Sequence, residues 1–154
     1  MIHKEKYTNI DRVLQCLITQ VQESIFYCQD NFPKWDSPEE MFKILKLNVT
    51  YKTDPKDVEL LMTVPTFFDN NYWDKSGYGD CDDFTILTLA CCYANNWNDN
   101  AIVLKGRSKK NPVHIYSSTF VNGQNYTLDL TNPYIDIERE YPLSQTLQIK
   151  TLKL

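Results

Sequence analysis

The stretch GYGDCDDFTILTLACC, residues 77–92, decides how this chain is read. Two glycines open it, Asp80 stands where a helix N-cap belongs, and a run apolar on nearly every face follows. Aspartate caps well because its carboxylate accepts from unpaired first-turn N–H groups, and glycine supplies turn freedom. Phe84, Ile86, Leu87, Leu89, Ala90, Cys91 and Cys92 leave little polar surface, the pattern of a helix buried mid-domain. Asn95 and Asn96 offer a stop. Cys81 thus falls in the first turn of a central helix, where free N–H groups and the helix dipole favour a thiolate. Asp82 and Asp83 favour the helix start but oppose the thiolate, so a reactive Cys81 needs a histidine partner. Without one, the stretch is a capped structural helix with an incidental cysteine.

The chain has two histidines. His3 lies near a terminus and reads as solvated. His114 lies in NPVHIYSSTFVNGQNYTLDLTNP, residues 111–133, which reads as two strands around an Asn-Gly turn. That dipeptide is the strongest short hairpin signal, because a type I′ turn needs positive φ at both positions. Counting outward from Asn122 and Gly123 sets Tyr116 opposite Asp129 and His114 opposite Thr131. His114 and Asp129 then share a face as diagonal neighbours, about 7–8 Å apart at their β-carbons and within reach of an aromatic side chain. A thiolate attacks an acyl carbon, imidazole takes and returns the proton, and carboxylate fixes the imidazole tautomer. Cys81, His114 and Asp129 are the candidate catalytic residues.

Outward from this core, helices precede and strands follow. From Asn9 to about Asp30 the apolar residues Ile10, Val13, Leu14, Leu17, Ile18, Val21 and Ile25 form the stripe of a long amphipathic helix. DSPEEMFKILKL, residues 36–47, carries Ser37 as N-cap, Pro38 at the first position and Glu40 three after the cap. TDPKDVELLM, residues 53–62, repeats the device with Asp54 and Pro55, predicting a short helix closed by Pro65. An aromatic-rich loop leads from there to Gly79. No repeat or low-complexity linker divides the chain, so one domain over residues 1–154 is expected.

Composition narrows the function. With 42% hydrophobic and 23% charged residues the chain is an ordinary globule rather than a disordered one. A net charge of −4 argues against a nucleic-acid surface, and the basic run KGRSKK, residues 105–110, reads as a solvated turn. No stretch is apolar enough to span a membrane, and MIHKEKYTNI lacks a signal-peptide core. The five cysteines are odd in number, without CxxC spacing, and four of them (Cys16, Cys28, Cys91, Cys92) fall in apolar helical patterns. That usage implies a reducing compartment, no disulfide framework and no zinc. The cytoplasm, or carriage in a phage or secreted particle, is the expected location.

At GDCDDFTILTLACC, VHIY and NGQNYTLDLTNP the sequence resembles the transglutaminase-like superfamily of papain-like cysteine hydrolases and acyltransferases. The resemblance spans about Pro65 to Pro133 and sets Cys81, His114 and Asp129 on the three catalytic positions. It implies an α+β fold, with N-terminal helices and a central cysteine helix packed on an antiparallel sheet. The implied activity is acyl chemistry on a protein or peptide substrate, hydrolysis favoured over amine transfer, with no cofactor. A catalytically silent module for protein binding or particle assembly is the alternative. Tyr126 stands where the family often has tryptophan. The second oxyanion donor is not fixed by the resemblance; Tyr51, Tyr72 and Trp73 are candidates. GDCDD is similar to the GDCED of bacterial transglutaminase-like cysteine proteinases, some of which hold calcium beside the cysteine. Capping is the expected use of Asp80 and Asp82, and no metal is expected, because calcium takes six or more oxygens.

Overall fold

The buried helix of the opening stretch is the element around which the rest is arranged. A computed structural model describes residues 2–6, 10–54, 58–69, 77–108, 111–131, 145–152 and 154. Helix α1 (Ile10–Asn31) turns Val13, Leu14, Leu17 and Val21 inward, as its apolar stripe predicts. Helix α2 (Pro38–Leu47) begins as expected: Glu40 N–H donates to Ser37 Oγ at 3.2 Å. The Glu40 carboxylate reaches one residue further back than a simple capping box, accepting from Asp36 N–H at 2.9 Å. Helix α3 (Val64–Asp69) is short, and α4 (Cys81–Ala94) is buried from Asp82 to Tyr93. Asp80 caps α4, and its N–H donates to Asp83 Oδ2 at 3.3 Å. Asn95 closes the helix, with its N–H on the Cys91 carbonyl.

Eight strands accompany these helices among the described residues: β1 (Ile2–Lys6), β2 (Val49–Tyr51), β3 (Val58–Met62), β4 (Gly77–Gly79), β5 (Asn100–Ser108), β6 (Asn111–Val121), β7 (Gln124–Leu128) and β8 (Gln145–Leu152). The principal sheet is antiparallel in the order β7-β6-β5-β8. Two small sheets stand apart from it, β1 with β3 antiparallel and β2 with β4 parallel. Helices and an antiparallel sheet together make the α+β architecture that the sequence implied. Helix α4 lies against β6: the Thr88 and Ser117 hydroxyls meet at 2.7 Å inside the contact. α1 packs on the other side of α4, so the helix is enclosed and its leucines and isoleucine have no exposed surface. No helix among the described residues is long and apolar enough to cross a membrane.

Three local expectations fail, each for a tertiary reason. Val58–Met62 is a strand paired with β1, and Asp54 accepts from Leu60 N–H at 2.6 Å instead of capping a helix. Pro65 lies inside the first turn of α3, where its missing N–H costs nothing, rather than ending a helix. Lys105 belongs to β5 and is buried, whereas a solvated turn was expected; residues 109–110 lie outside the described residues. The glycines before Cys81 also serve differently. Both sit in strand β4, and only Gly123 has a positive φ (81°). A Cβ on Gly77 would land on the Phe67 ring, and one on Gly79 would come within 2.7 Å of Asp83. Close packing, not turn freedom, demands them. His3 pairs with Leu61 through the backbone; its side chain lies outside what is described.

Candidate active site

The hairpin delivers what its turn chemistry predicts. Asn122 (φ 52°) and Gly123 form the turn, and Val121 pairs with Gln124 through to Ser117 with Leu128. One step further along the same register sets Tyr116 opposite Asp129, just beyond the last paired residue. His114 Nε2 lies 2.7 Å from Asp129 Oδ2, with both residues buried. Asp129 Oδ1 is held by Thr131, which donates from its N–H at 3.2 Å and its hydroxyl at 2.5 Å. The second expected neighbour of His114, Thr131, also arrives: its Oγ1 is 3.2 Å from Nε2.

This constellation assigns the histidine tautomer. The single Thr131 hydroxyl proton is committed to Asp129 Oδ1, so towards His114 that oxygen can only accept. An ionised Asp129 likewise only accepts. Both contacts therefore call for a proton on Nε2, which leaves Nδ1 as the basic nitrogen. The Tyr116 ring lies beside the imidazole, centroids 5.7 Å apart. Lys105 faces His114 across the β5–β6 ladder and is buried there.

Cys81 is the first residue of α4 and is partly exposed; Cys28, Cys91 and Cys92 are buried, but Cys16, expected to be buried with them, is partly exposed as well. Its turn is tied to the histidine strand by Thr85. That hydroxyl is 2.7 Å from the Cys81 carbonyl and 3.5 Å from the carbonyl of Ile115, next to His114. Two of the buried thiols are pushed upward. Burial pushes Cys91 well above the ordinary thiol range, helped by Cys28, whose sulfur is 4.0 Å away. Burial raises Cys92 to about 12, partly offset by Thr119.

Of the three oxyanion candidates, Tyr51 ends β2, directly beside Gly79, and packs edge-on against Phe84. Burial, then the charges of Cys81, Asp80, Asp82 and Asp54, raises its phenol to about 12, so it keeps its proton as a donor. Tyr72 and Trp73 lie outside the described residues. Tyr126, in the position of the family's usual tryptophan, is partly buried on β7.

Residues far apart in sequence complete the surroundings. Asp54 joins Asp80 and Asp82, with one carboxylate oxygen from each within 4.8 Å of the others. Asp80 Oδ1 is buried without a hydrogen-bond partner among the described residues. Three carboxylates could hold a cation, yet they supply about half the oxygens that calcium takes. They fit that ion only with further ligands. Asp54 carried no sequence signal for this placement, because its loop was read as a helix cap. Asp83 lies beneath the cluster, accepting from Met62 N–H at 3.1 Å. Burial and then the Asp80 charge raise its carboxyl well above the usual range.

No curated protein and no solved structure matches this chain. A family model described as a transglutaminase-like domain matches residues 18–153, which take in the later part of α1, then α2, α3 and α4, as well as the hairpin. With that match over most of its length, the chain belongs to the transglutaminase-like domain family.

Proposed function

We propose that the protein is a cysteine-dependent enzyme acting on an amide or peptide bond, with water as the acceptor rather than an amine. The observation that carries the reading is the His114 Nε2–Asp129 Oδ2 contact at 2.7 Å, whose acceptors call for the proton on Nε2. Nδ1 takes the Cys81 proton, and the thiolate adds to the substrate carbonyl. The Cys81 N–H and the Tyr51 hydroxyl donate to the resulting oxyanion. The tetrahedral adduct collapses as the imidazolium protonates the leaving amine, giving a thioester at Cys81. Water, deprotonated by Nδ1, adds to that thioester, and the acid leaves with Cys81 restored. The substrate is a protein or peptide, and the protein works without a cofactor.

The test is selective alkylation. Limiting iodoacetamide on the native protein should modify Cys81 first, with an apparent pKa below the ~8.5 of a free thiol. His114→Ala should remove that advantage. A trapped acyl adduct at Cys81 from an acyl electrophile, then product analysis with peptide substrates, separates hydrolysis from transfer. If Cys81 reacts no faster than the other four thiols, the partly exposed Cys16 among them, or ignores the loss of His114, the enzyme reading fails and a silent binding module takes its place.

A further inference from the structure

The β7 ladder ends at Leu128, so no strand pairing fixes the backbone on which Asp129 sits. In the following turn the Leu130 side chain is buried in the core and Thr131 Oγ1 meets His114, and two further contacts hold the backbone and the carboxylate. One is local, the Thr131 N–H and hydroxyl on Asp129 Oδ1. The other comes from α2, far back in the chain: Lys46 Nζ donates to the Leu130 carbonyl at 2.5 Å. The Lys46 ammonium and the Asp129 carboxylate also attract each other, while burial works against the cation and lowers its pKa.

A half-buried ammonium is an expensive way to satisfy one carbonyl. An exposed lysine rotamer would leave Leu130 to water and keep the charge solvated. Burial lowers the Lys46 pKa, and attraction to Asp129 offsets only part of that cost, so what the contact supplies is the hold on the turn. Asp129 Oδ2 accepts from His114 Nε2–H only while the turn aims it at the ring. The bond from Lys46 on α2 to the Leu130 carbonyl fixes that turn.

We infer that Lys46 is a positioning residue, holding the turn after β7 so that Asp129 accepts from His114 Nε2–H and the ring proton stays off Nδ1. The inference rests on the Cys81–His114–Asp129 reading for its catalytic consequence, but not for its structural one. It also gives the N-terminal helices, which carry no motif of their own, a part in the site.

The experiment compares the native protein with Lys46→Met and Lys46→Arg, using ¹⁵N-histidine NMR beside peptide turnover. The native protein should show a single His114 tautomer with a downfield Nε2–H proton. Lys46→Met should lose that signal and populate both tautomers, and Lys46→Arg should restore it. With a substrate in hand, Lys46→Met should lower kcat about tenfold or more with KM within about twofold, the split expected of a lost charge-assisted contact behind the reacting groups. A folded Lys46→Met protein that keeps both the signal and kcat overturns the inference, as does a native His114 protonated on Nδ1. Should the methionine variant not fold, Lys46→Ala, which also removes the donor, decides by the same criteria. A native protein with a Lys46-dependent Nε2–H signal but no turnover would remove the enzyme reading and leave the positioning role standing.

Discussion

Asp129 uses both carboxylate oxygens, one for His114 and the other for Thr131. An amide in its place has one acceptor and one donor, so it must either oppose the Thr131 donors or present N–H to Nε2. The second arrangement turns the imidazole proton onto Nδ1, where the base is needed. Asp129→Asn should therefore lower kcat by about three to four orders of magnitude, with Tm nearly unchanged. Turnover within a few-fold of native would show that this carboxylate does not orient the histidine. Thr131 stands one bond further out. Thr131→Val removes one of two donors to Oδ1 and should cost about tenfold in kcat, with Thr131→Ser recovering it. A loss in Thr131→Ser with Thr131→Val unaffected would point instead to the packing of the methyl group.

At the scale of elements, the site depends on one hairpin and one helix start. Period-two alternation means that a single residue inserted between Asn122 and Gly123 moves His114 and Asp129 to opposite faces. Activity should vanish with helix content retained by circular dichroism; an active insertion variant would remove the register argument. Helix α4 starts among four acidic groups, and Asp83 records the strain. Because its native pKa lies above the unfolded value, the folded protein holds that proton more tightly than the unfolded chain does. Its stabilising contribution is complete below about pH 4 and is lost as pH rises through the native pKa. Asp80→Asn keeps a good cap while removing the nearest charge. In urea titrations with chelator present, this variant should match the native protein near pH 3. It should then gain about 1 kcal/mol for each pKa unit of relief as pH rises to 7. A constant offset across that range would show that the carboxylates do not interact.

Across the whole molecule, stability is unevenly distributed. Ile86, Leu87 and Leu89 have no exposed surface, enclosed between α1 and the sheet. Truncating Leu89 to alanine should cost about 2–5 kcal/mol, the range for a buried leucine whose site cannot collapse. The strands beside Cys81 are differently placed. β2 and β4 are three residues each in a two-stranded sheet, an arrangement marginal without support. Amide exchange should therefore be slowest in the middle of α4 and in β5 and β6, and clearly faster at Val49–Tyr51. Equal protection throughout would mean that the wall next to Cys81 opens only with global unfolding. Gly77→Ala tests the same wall from its other side, since the added methyl meets the Phe67 ring. It should destabilise the protein and slow Cys81 alkylation together.

What the sequence determined by itself is what short-range chemistry controls. Asp80 and Asn95 bracket α4 because capping involves only residues within a turn of the helix end. Asn122-Gly123 placed His114 on Asp129 because a two-residue turn admits one register. Ser37 and Pro38 began α2 for the same local reason. Tertiary structure decided the rest. Val58–Met62 carried a helix-start signal, yet it pairs with Ile2–Lys6, and hydrogen bonds to a distant strand outweigh a weak local preference. Lys105 looked solvated until β5 took its place between β6 and β8. Lys46 reaches Leu130, and Asp54 reaches Asp80 and Asp82, only after the chain has folded back on itself. Such contacts leave no periodicity or spacing to read, because residues far apart in sequence acquire their electrostatic partners from packing alone.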